Sequence, residues 1–145
     1  MDLYEQETEL LFDMIQQKVQ DEDWTVIKDA ATKDEDCRSI QTICQHIVSA
    51  GKYYIELARK GENPDYTMER TSINVEGKAD FVAQFKAVLE SQANYYEGRW
   101  DMSDEAIDQI KIKTGWGDIL TIEGLLEHAV MHVMRHHRQI LRWVD

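Results

Sequence analysis

The sequence predicts an all-α four-helix bundle, and three observations carry that reading. Apolar residues recur every three or four positions through four long segments, no run alternates apolar and polar residues as a strand would, and one long connection holds the only proline. At 145 residues the length fits one domain over the whole chain, with a core that needs no disulfide staples.

The first helix runs from Leu3 to about Val19, where Leu3, Leu10, Leu11, Met14, Ile15 and Val19 recur among Glu, Gln and Lys. Asp21-Glu22-Asp23-Trp24 breaks it, and the segment to Asp36 reads as a connection with one short helical turn at most. Trp24 is read as capping the end of the bundle. The second helix spans about Cys37 to Lys60, with Ile40, Ile43, Cys44, Ile47, Gly51, Tyr54 and Ala58 facing inward and Gly61 as its stop signal. Gly61 to Gly77, with Pro64, is a long crossover between the second and third helices, and Tyr66 and Met68 are candidates to cover one end.

The third helix covers about Lys78 to Arg99, with Phe81, Phe85, Val88, Leu89, Gln92 and Tyr96 on one side. Tyr95 and Tyr96 are adjacent, so at most one is expected to point fully inward. Between Trp100 and Thr121 come an N-cap pattern at Ser103-Asp104-Glu105-Ala106 and a bend at Gly115-Trp116-Gly117. Thr121 then caps a last helix, Ile122 to Trp143.

That last helix is where chemistry concentrates, because it holds four of the five histidines, three of them at a four-residue repeat: His128, His132 and His136. On a wheel Ile122, Leu125, Leu126, Ala129, Val133 and Ile140 form one apolar stripe. His136 falls inside it, His132 on its flank and His128 further round, while His137 projects to the other side. Two imidazoles one turn apart on a core-facing surface are costly to bury unless a divalent metal or hydrogen-bond acceptors engage them. The His132-x-x-x-His136 spacing lets one ion reach both rings. A catalytic zinc centre typically wants three protein ligands plus water, so one more must come from another helix. His46 is the only histidine elsewhere, and it lies at the edge of the second helix's inward stripe.

A formal net charge of −12 opposes binding to nucleic-acid phosphates or anionic membranes and points to a small molecule or a protein as partner. No apolar run approaches a bilayer's span, and the acidic start MDLYEQETEL has no signal-peptide features, so a cytoplasmic protein is expected. Cys37 and Cys44 are seven residues apart, about 10 Å along a helix, too far for a disulfide. Both are expected as reduced thiols, with Cys44 in the core. No Glu-x-x-His occurs, which disfavours a di-iron bundle, and no CxxCH is present for covalent haem.

Ser39-Ile40-Gln41-x-x-x-Gln45-His46-Ile47-Val48 in the second helix, with Glu127-His128-x-x-x-His132-x-x-x-His136-His137-Arg138-Gln139-Ile140 in the last, resembles the DinB/YfiT-like metalloenzyme family. The resemblance covers essentially the whole chain. It implies that His46, His132 and His136 hold a divalent ion, zinc or nickel, with water completing the shell, and that the protein is a homodimer. It also implies an enzyme acting on a small molecule, either a hydrolase or a transferase of low-molecular-weight thiols. The other readings are a non-catalytic metal- or ligand-binding bundle associated with stress, or an interaction domain with structural histidines. Where relatives carry His-Arg-Gly-Gln, this chain has His136-His137-Arg138-Gln139, without the glycine. An open position on such an ion would lower the pKa of water or favour a thiolate. No HExxH is present, Glu127 and Glu123 face the wrong way, and no catalytic residue is assigned beyond the metal set. His128 is read as a residue of the bundle edge.

Overall fold

A computed structural model describes all residues, 1–145. The chain is mostly helical: α1 (Asp2–Lys18), α2 (Ile40–Glu62), α3 (Lys78–Tyr96), α4 (Asp104–Gln109) and α5 (Ile122–Val144), with a two-stranded antiparallel hairpin, β1 (Ile112–Lys113) and β2 (Ile119–Leu120). The all-α expectation holds, and the four long amphipathic segments are the four long helices. The short α4 begins at the Ser103 cap read from the sequence, and the hairpin is an addition. The hairpin leaves no mark on the sequence pattern because two residues per strand are too few to show alternation.

The long helices close a ring. α1 packs on α3 and α5, and α2 packs on the same two, so the first two helices sit across a diagonal. Residues 19–39 must therefore cross the end of the assembly. They do so with two 3₁₀ turns, Asp21–Asp23 and Glu35–Cys37, where one at most was expected. Trp24 is buried there, and its carbonyl accepts from the Gln41 backbone N–H at 3.0 Å, fixing the start of α2.

α2 begins later than its apolar pattern suggested. Cys37 belongs to the preceding turn, and Ser39 caps the helix reciprocally with Thr42: the Thr42 N–H donates to Ser39 Oγ at 3.1 Å and the Ser39 N–H to Thr42 Oγ1 at 3.0 Å. Gly61 does not stop the helix, which runs on to Glu62. The glycine is there for room, since a Cβ at this position would lie 2.6 Å from Ile112 of β1. That contact seats the hairpin against α2.

The crossover between α2 and α3 is strapped to α2 along its length. Gln41 donates to the Val75 carbonyl at 2.9 Å, the Val75 N–H donates to Gln45 at 3.2 Å, and Val75 itself is fully buried. Further along, the buried Glu56 accepts from the Tyr66 hydroxyl at 2.8 Å and the Glu69 N–H at 2.7 Å.

The core is a single cluster of 29 buried apolar residues, centred on Tyr4, Phe12, Phe81 and Phe85. Both Tyr95 and Tyr96 are buried, against the expectation for neighbours on a helix. They lie at the end of α3, where the chain turns beneath them: Arg99 covers the Tyr95 ring at 4.2 Å and Trp100 stacks on Tyr96 at 5.4 Å. Cys37 and Cys44 are free and buried. No helix is long and apolar enough to cross a membrane.

Candidate metal centre

Two helices bring the site together. Thr121 caps α5, accepting from the Gly124 N–H at 3.0 Å, and fixes where the helix begins and hence which way its histidines turn. His136 then lies in the buried stripe, only 2 % exposed, as the wheel predicted. His132 is half-buried one turn earlier, and His46 reaches in from α2.

All three side chains converge. His132 Nε2 lies 2.8 Å from His46 Nε2 and 3.2 Å from His136 Nε2, and ligand atoms of all three fall within 4.8 Å of one another. With zinc–nitrogen bonds of about 2.0–2.1 Å, two nitrogens on a tetrahedral ion sit roughly 3.3 Å apart. The 3.2 Å pair already has that spacing, and the 2.8 Å pair needs to open by about half an ångström.

The hydrogen bonds behind the rings sharpen the case. His136 Nδ1 donates to Gln139 Oε1 at 2.9 Å, so its proton is on Nδ1 and its Nε2 presents a lone pair to the centre. His46 Nδ1 lies 3.3 Å from the Asp36 carboxylate, which favours the same tautomer. His132 Nε2 therefore faces two lone pairs, and a single N–H there can serve only one of them. A cation at the meeting point satisfies all three nitrogens at once. The donor set thus fits a divalent ion such as zinc or nickel, each nitrogen neutral and unprotonated on the inner side.

Burial, followed by the neighbouring imidazoles, pushes His132 down from 6.5 to about 2, and burial pushes His136 down to about 4 despite its bond to Gln139. Without metal, the folded chain therefore refuses protons that the unfolded chain takes up below about pH 6.5. Because the unfolded state binds more protons in that window, stability falls as pH falls from 6.5 toward 4, by up to about 1.4 kcal/mol per pH unit for the buried His136. Urea titrations of metal-free protein at pH 7, 6 and 5 should show the midpoint dropping, and dropping less in His136→Gln. Identical pH trends in the two proteins would contradict the burial argument.

The triad forms one end of a cleft of about 490 Å³, a volume suited to a small molecule. Its walls include Tyr54, Trp116, His128, Arg135 and Asp34. His128, expected at an edge, is half-buried and stacks on Trp116 with ring centres 4.6 Å apart and planes 17° off parallel. Tyr54 meets Trp116, His128 and His132 edge-on at 6.3, 5.5 and 5.9 Å. Its ring was legible as inward-facing, but its place in the cleft was not. His137 lies on the other side of α5, outside the triad, and Glu123 and Glu127 are exposed.

Gln139 was missed, although its place three residues after His136 puts the two on one helical face. Asp36 and Trp116 arrive through tertiary structure, and no local signal marks them. Comparison of the chain with known protein families, with characterised proteins and with solved structures gave no match.

Proposed function

We propose that the protein is a metal-dependent enzyme of the DinB/YfiT-like four-helix-bundle kind, acting on a small molecule as a hydrolase or a low-molecular-weight-thiol S-transferase. The observation that carries this reading is the meeting of His46, His132 and His136 through their Nε2 atoms at the end of an open cleft. A structural histidine cluster would bury its nitrogens against acceptors. Here three nitrogens meet one another beside open space, which supports a catalytic ion over a closed structural one.

A divalent ion held there supplies Lewis acidity, favouring the deprotonated form of a water or a thiol near neutral pH. The chain's own residues do the rest. Gln139 keeps the proton of His136 on Nδ1, and Asp36 does so for His46, so that both rings stay oriented toward the centre. Tyr54 is the donor of the site: burial raises its phenol well above the ordinary range, so it stays protonated and can give a hydrogen bond to an acceptor atom of the substrate. Neither thiol is placed to act as a nucleophile, since burial raises both and Cys44 is sealed in the core.

The test is a screen of untagged, zinc- or nickel-loaded protein against thiol-plus-electrophile pairs and against amide and ester substrates. Turnover that disappears on chelation, returns with one equivalent of ion and drops in Tyr54→Phe is the expected result. Metal loading without turnover on any substrate class would favour a metal-binding protein that does no chemistry.

A further inference from the structure

Trp116 is a large aromatic side chain left 43 % exposed on a two-residue-per-strand hairpin, yet it is held in one place by several devices. Its indole Nε1 donates to Asp118 at 3.0 Å, and one of its faces lies on His128. The turn that carries it is closed by the Thr114 N–H and hydroxyl, both donating to the Asp118 carbonyl at 2.9 Å. Gly117 is required by its φ of +100°, and Gly115 lies close under the Tyr53 hydroxyl, 2.9 Å from where a Cβ would sit. An exposed ring ordered to this degree adds little to the core, but it is a preorganised surface for a flat partner.

A charge stands beside it. Arg135 lines the same cleft, and neither it nor Arg138 or Arg142 along the same helix makes an ion pair, in a chain of net charge −12. Asp34, the acidic residue among the cleft walls, accepts from the Asp36 N–H at 3.0 Å and the Cys37 thiol at 3.4 Å and makes no ion pair with Arg135. That leaves the Arg135 guanidinium free to meet an anion from outside.

We infer that the cleft takes a small molecule with a flat, aromatic or conjugated group and a carboxylate, the flat group lying against Trp116 and the carboxylate on Arg135. This rests on the metal reading of the triad for the chemistry done at the far end. Tyr54 meets both Trp116 and His132 edge-on, and His128 stacks between those two, so platform and triad line one continuous wall of the cleft.

The test uses the whole protein, zinc-loaded and chelator-treated, with 2-naphthoate as probe and two controls: cyclohexanecarboxylate, which lacks the flat ring, and 2-naphthylmethanol, which lacks the charge. Calorimetry should find 2-naphthoate bound at least about tenfold more tightly than either control, an advantage of the size that stacking and a charged hydrogen bond supply. Trp116→Ala should weaken 2-naphthoate about fivefold or more and erase its advantage over cyclohexanecarboxylate, with Trp116→Phe intermediate. Arg135→Ala should erase its advantage over the alcohol, and all three variants should keep their zinc. Equal affinity for the three probes, or 2-naphthoate binding unmoved in Trp116→Ala, overturns the inference. So does affinity that vanishes on chelation and ignores Arg135→Ala, because the carboxylate would then be on the ion. Zinc measured in the same samples separates the two readings: wild type that binds no zinc but retains probe selectivity counts against the metal centre alone.

Discussion

His132→Ala should lower the zinc or nickel occupancy of untagged protein at least about tenfold, and His46→Ala should do the same. His132 has the larger expected effect because its Nε2 is the middle atom of the three, 2.8 Å from one neighbour and 3.2 Å from the other. His137→Ala, which alters a ring on the other side of α5, is the control and should leave loading unchanged. Folding should survive in each variant, since the 29-residue apolar core contains none of the three ligands. Elemental analysis alongside circular dichroism reads both outcomes. Full metal loading in His46→Ala and His132→Ala would remove the site altogether.

The largest effect on stability is expected at Phe85. Its ring is fully buried, stacks on Phe81 at 5.9 Å and meets Tyr4 and Phe12 edge-on at 6.2 Å, so it joins α3 to α1 across the middle of the core. Phe85→Ala removes the ring and leaves a cavity that three aromatic neighbours cannot easily fill. The cost should be about 3–5 kcal/mol, a large share of the roughly 5–15 kcal/mol that a domain typically has in hand. A urea unfolding curve with an unchanged slope and a midpoint shifted by less than the equivalent of about 1 kcal/mol would show that the core closes over the gap.

The long helices were legible because amphipathic spacing over seventeen or more residues leaves little ambiguity, as in α1 (Asp2–Lys18) and α5 (Ile122–Val144). Caps at Ser103 and Thr121 read correctly for the same local reason: a side chain answers an N–H three residues on. At Ser39 the cap overrode an apolar pattern that ran earlier, and at Gly61 packing against Ile112 overrode a stop signal that composition alone suggests.

The site was half legible. His132 and His136 share a helix, so their spacing already announces a shared face. His46 sits on the edge of its helix's inward stripe, and its rotation toward α5 is settled by the ring of helices and by the strap of Gln41 and Gln45 on Val75. The wall of Trp116, His128 and Arg135 depends on a hairpin too short to be seen in sequence, which is why His128 looked peripheral.

His46 and His132 stand 86 positions apart, so the three rings can meet only when segments far apart in the chain have come together. α2 alone offers one imidazole of the three, too few to hold an ion in the way the assembled group could. An ion held by all three rings would tie α5 to α2, two helices that no covalent link joins at this point.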